Sequence, residues 1–69
     1  MPIVFLQPGE TRPIRRLSGP PALRQRLQDL GFVPGKAVTL VGSMGGNMIV
    51  QVMDCRIALD RGLARHIHI

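Results

Sequence analysis

The 69-residue chain has no tryptophan and no tyrosine, and it holds only two phenylalanines, one cysteine and one lysine. One cysteine rules out an intramolecular disulfide and fits a reducing compartment. No apolar run approaches the ~18 residues needed to span a bilayer. The opening Met1-Pro2-Ile3-Val4-Phe5-Leu6 lacks the basic start of a secretory signal. A cytoplasmic protein is therefore expected, without membrane insertion. The scarcity of aromatics disfavours two binding classes, because single-strand nucleic-acid binders stack bases on exposed rings and proline-rich peptides need an aromatic-lined groove. Phe5 and Phe32 both have core roles open to them. Acidic residues are also few: four carboxylates against nine Lys+Arg leave a net charge of +5. The arginines are scattered, which reads first as a solvated surface. The functional alternative is an acidic partner: nucleic acid, anionic lipid headgroups or an acidic protein face.

Turn residues, by contrast, are abundant. Eight glycines and six prolines in so short a chain favour a small β-barrel over a helical bundle. The clearest local signal is Arg26-Leu27-Gln28-Asp29-Leu30-Gly31-Phe32-Val33-Pro34-Gly35. Leu23, Leu27 and Leu30 recur at i, i+4 and i+7 on one helical face. Gly31 supplies a left-handed stop, Phe32 folds back over Leu27, and Pro34-Gly35 makes a type II turn. The helix is expected over about Pro20 to Leu30, capped by Ser18 or Gly19.

Around this helix the pattern turns to strands. Arg12 to Leu17 reads as a first strand, with Pro13 forcing a start or an edge position. Ala37 to Val41 and Met48 to Met53 form a hairpin across Ser43–Asn47. Asp54-Cys55 reads as a two-residue turn into Arg56–Leu59. Asp60 caps a single helical turn, and Arg65–Ile69 closes as an alternating strand. The expected fold is mainly β: one domain over residues 1–69, a partly open barrel of about five strands. Its helix lies in the first long connection and its short helical turn before the last strand. The expected core is Ile14, Leu17, Leu27, Leu30, Val38, Leu40, Val50, Val52, Ile57, Leu59, Ile67 and Ile69.

Catalytic chemistry finds no support. Ser18, Ser43 and Cys55 have no base at a recognisable motif spacing, and each carboxylate has a turn, cap or helix-face explanation. Gly45-Gly46 lacks the Lys-Ser/Thr ending of a phosphate-binding loop. An enzyme is not expected. His66 and His68, two apart on a strand, project from one face and offer two imidazoles to a divalent ion, with Cys55 as a third ligand. Two solvent-facing histidines and a turn cysteine are the simpler reading, with no cofactor required and weak divalent binding as the metal alternative. A small basic barrel that binds RNA is the main rival class.

Taken together, these segments resemble the FeoA family of small SH3-like proteins. Leu6-Gln7-Pro8-Gly9-Glu10 is similar to the family's opening Leu-x-Pro-Gly turn. Arg26 to Gly35 resembles its Arg-Leu-x-x-Leu-Gly and Pro-Gly signature, Arg56-Ile57-Ala58-Leu59 its apolar-Ala-Leu strand, and Ala64 to Ile69 its closing run. Asp54, where the family often has glycine, and Pro13 depart from the pattern. The resemblance implies an SH3-like fold and an accessory role in bacterial ferrous iron uptake, through contact with the cytosolic part of the FeoB GTPase transporter. The same fold as a metal-responsive regulatory module is a further alternative. The partner-facing surface is expected on the wet helix face (Arg24, Gln28) and the hairpin (Met44, Met48). Self-association is left open.

Overall fold

A computed structural model describes all of residues 1–69. Six strands form: β1 (Thr11–Pro13), β2 (Arg16–Leu17), β3 (Ala37–Met44), β4 (Asn47–Val52), β5 (Cys55–Asp60) and β6 (Ile67–His68). Helix α1 spans Pro21–Asp29 and α2 spans Arg61–Ala64, and a 3-10 turn covers Ile3–Phe5. The strands make a four-stranded antiparallel sheet in the order β1-β3-β4-β5 and a two-stranded sheet of β2 with β6. The helix lies between β2 and β3, as the sequence indicates, and α2 precedes the last strand.

The expected first strand is split in two. Pro13 ends β1 at the sheet edge, where its missing N–H costs no ladder bond. Ile14 and Arg15 then carry the chain to the other sheet, with Arg15 N–H donating to the His68 carbonyl at 2.7 Å. This break accounts for six strands rather than five.

Helix α1 ends in a Schellman motif. Gly31 has φ +107°, its N–H bonds the Gln28 carbonyl at 2.9 Å, and the Phe32 N–H reaches back to the Leu27 carbonyl at 3.0 Å. Phe32 and Leu27 are both fully buried. The same turn expels Leu30, expected in the core but 40% exposed. It is the C-cap, and the chain reverses just beyond it, so Phe32 takes the inward place. At the start, Pro20 is the N-cap and no side chain caps the helix, so Ser18 and Gly19 do not serve as caps.

The core gathers Ile3, Leu6, Ile14, Leu27, Phe32, Val38, Leu40, Met48, Val50, Val52, Leu59, Ala64, Ile67 and Ile69. Leu17 and Ile57, expected inside, pack against it half-buried. The β3–β4 turn is only Gly45-Gly46, with Met44 paired to Asn47, so Met48 belongs to β4 and shares the inward parity of Val50 and Val52. Met48 is 2% exposed, which removes it from any partner-facing surface.

The β4–β5 turn is Met53-Asp54, one residue earlier than expected, because Val52 pairs with Cys55. Met53 then sits at φ +54°, the only non-glycine residue with positive φ. That conformation costs a side-chain-bearing residue roughly 1–2 kcal/mol. Met53→Gly is expected to stabilise the fold by about 0.5–1 kcal/mol after its own entropy cost. A urea midpoint no higher than that of the parent chain would contradict it.

Candidate functional site

The ladder between β2 and β6 builds a polar cluster of Ser18, His66 and His68. Leu17 pairs with Ile67 and Arg16 with His68, and Ser18 N–H donates to the His66 carbonyl at 2.8 Å. Alternation sends Ile67 and Ile69 inward and leaves His66 and His68 half-buried on the other face. Ser18 lies opposite them. Its Oγ is 3.2 Å from His66 Nδ1 and 2.8 Å from His68 Nε2. One hydroxyl has a single proton, so Ser18 donates to one imidazole and accepts from the N–H of the other. Sequence reading reached the histidine pair but missed Ser18, which it assigned to a helix cap. Only the strand register reveals it.

Cys55 does not join this cluster. It is exposed at the start of β5, in the other sheet, and no group of three His, Cys, Asp or Glu side chains assembles anywhere in the fold. A structural zinc site takes four such ligands and a catalytic one three. The donor set here offers two imidazoles already bound to a hydroxyl, which does not fit a closed metal site. A cleft of about 290 Å³ adjoins His68, lined also by Met1, Arg15, Arg16 and Ile69.

Burial, the Arg16 guanidinium, the Met1 amine and His66 together hold His68 below its ordinary pKa of 6.5. The unfolded chain therefore binds the His68 proton at a higher pH than the folded one. This contribution to stability is complete above the unfolded value and is lost as pH falls through it toward the folded value. Lowering the pH from about 7.5 to about 5.5 is expected to reduce the urea midpoint, and His68→Gln should flatten that slope. Glu10, lowered by the Gln7 N–H and then by Arg12, acts in the same direction in a more acidic range. An unchanged slope in His68→Gln would refute the assignment.

The other expected site residues separate. Arg24 is half-buried and its guanidinium donates to the Gly19 carbonyl, so it secures the start of α1. Gln28 is exposed. It lies near the helix exit, where Gly31 meets the Val52 and Met53 side chains. Leu30 and Met53, 40% and 53% exposed, flank this exit. Met44, 74% exposed, ends β3 beside Asn47 at the opposite end of β4, roughly 17 Å away by strand rise. The helix face and the hairpin tip thus do not merge into one patch. Phe5, for which a core role was open, is 63% exposed, because the 3-10 turn buries Ile3 and Leu6 on either side of it.

A family model described as the FeoA domain matches residues 1–69. No curated protein matches the chain. Among solved structures, the chain is similar to an iron uptake regulatory protein, FeoA, at 30% identity. That match covers 96% of this chain and 88% of the other, with a TM-score of 0.87. FeoA of Stenotrophomonas maltophilia, solved in complex with zinc and described as a prokaryotic SH3 domain protein, is 27% identical. Coverage there is 97% and 86%, with a TM-score of 0.85. The iron(II) transport protein A of Clostridium thermocellum is 28% identical over 99% of this chain and 43% of its own, with a TM-score of 0.90.

Proposed function

Since this chain belongs to the FeoA domain family, we propose that it is a non-catalytic accessory protein of bacterial ferrous iron uptake that contacts the cytosolic part of a FeoB-like membrane GTPase transporter. The observation that carries this reading is the family match over residues 1–69, joined to an SH3-like fold shared with FeoA structures. No helix of the chain is long and apolar enough to cross a membrane. The chain then acts as one domain over its 69 residues, at the cytoplasmic face.

The helix exit is the proposed contact surface. Leu30 and Met53 are exposed apolar side chains at adjoining positions, with Gln28 one turn away, and flexible methionine suits an adaptable interface. The test is binding of the purified chain to the GTPase portion of the transporter at near-physiological salt, in GTP-analogue and GDP states, with an RNA oligomer in parallel. Saturable binding to the GTPase portion is expected. Leu30→Ser should weaken it about tenfold, with an unchanged thermal transition, and Met44→Ser should not. Binding to RNA alone, lost on adding salt, would replace this reading with the basic-barrel one.

A further inference from the structure

The four-stranded sheet has two edges, and they are treated differently. β1 is three residues long and carries Pro13, two features that block further pairing. β5 is six residues long, Cys55-Arg56-Ile57-Ala58-Leu59-Asp60, with no proline, no lysine and no bulge. None of the backbone bonds made outside the regular elements involves Cys55 to Asp60. Val52 and Cys55 flank a two-residue turn and so form a hydrogen-bonded pair, as do Val50–Ile57 and Met48–Leu59. The backbone groups of Arg56 and Ala58, and the Asp60 N–H, therefore point away from β4 into open space.

We infer that β5 pairs with the β5 of a second copy of this chain, antiparallel, with Ala58 on the two-fold axis. This register satisfies three independent conditions. Ala58 faces Ala58 of the partner subunit and Arg56 faces the partner's Asp60, so the outward-pointing residues meet one another in hydrogen-bonded pairs. Arg56 and Asp60 are both exposed and of opposite charge, and the symmetry forms their cross-strand pair twice. The Asp60 Oδ1 accepts the Leu63 N–H at 2.8 Å, which leaves its second oxygen for the guanidinium. On the inner face, half-buried Ile57 comes opposite the partner's Leu59 and completes its burial. A shift of one residue in register breaks the hydrogen-bond parity, and any other register loses the Arg56–Asp60 match. The product is a continuous eight-stranded sheet.

The test combines association and register. Sedimentation equilibrium of the full chain over a concentration series is expected to show a monomer–dimer equilibrium, and Arg56→Glu should weaken it about tenfold or more by placing carboxylates opposite one another. Arg56 is exposed, so unchanged circular dichroism serves as the folding control. In a Cys55→Ser background, Ala58→Cys should form a disulfide-linked dimer on mild oxidation, because paired Cα atoms lie ~5.5 Å apart. Arg56→Cys should not, since its copies are roughly 14 Å apart in this register. Equal cross-linking at both positions, a monomer at every concentration, or a dimer indifferent to Arg56→Glu would each overturn the proposal. So would protection of the Arg56 and Ala58 amides from exchange that appears only on adding the transporter's GTPase portion.

Discussion

Phe32→Ala is expected to bring the domain to the edge of unfolding, at a cost of about 3–5 kcal/mol. Phe32 is the largest fully buried side chain and lies against the end of α1, its N–H fixed by the Leu27 carbonyl. Removing the ring leaves a cavity beneath the helix that the rigid Schellman turn cannot close. A domain of this size has roughly 3.5–10 kcal/mol of stability in total, so the loss takes a large share of it. Urea denaturation followed by far-ultraviolet circular dichroism measures this directly. Phe5→Ala is the comparison: the ring is 63% exposed, and its removal should change stability by about 0.5 kcal/mol or less. Similar losses at the two positions would contradict the placement of both rings.

Gly19→Ala is the second large effect, expected at roughly 2–4 kcal/mol. Gly19 has φ +96°, and a Cβ there would lie 3.0 Å from Leu23 Cδ2 and 3.1 Å from His66 Nδ1. Leu23 packs against the core and His66 is tied to Ser18, so neither neighbour moves freely. The substitution strains the backbone, presses on the helix and pushes apart the Ser18–His66–His68 cluster. Gly35→Ala separates these causes. Gly35 has nearly the same φ, +92°, but nothing within 4 Å of its Cβ position, so it should show the backbone cost alone. If the two variants lose equal stability, the steric part of the argument fails. Shifted imidazole resonances in Gly19→Ala, absent in Gly35→Ala, would locate the disturbance at the histidines.

Both arguments rest on features of different legibility. The exit of α1 is written in consecutive residues: Leu27, Gly31 and Phe32 interact across five positions, and local chemistry dictates the stop, the turn and the ring that folds back. The Asp60 cap of α2 is equally local, and its carboxylate accepts the Leu63 N–H as the sequence indicates. The alternation Ile67-His68-Ile69 likewise announces which side chains face the core. Family membership follows from the same ordered set of short segments. Those are the determinations of the sequence by itself: one helix between its end residues, the order of the hairpins with the second turn placed to within one residue, the inward face of the last strand, and the family.

Tertiary structure decided whatever depends on strands distant in the chain. The split at Pro13 sends β1 and β2 to different sheets, and only the β2–β6 pairing, some fifty residues apart, sets Ser18 against the two histidines. One residue of register moved the second hairpin turn to Met53-Asp54, and the tight Gly45-Gly46 turn drew Met48 into the core. Leu30 and Phe5 carry the apolar character of core residues, yet both are outside because a single turn beside each gives the inward position to a neighbour. Propensity and periodicity act over a few residues at a time. Strand register, by contrast, is fixed by which apolar sets can fill one core together, and that is a property of the whole chain.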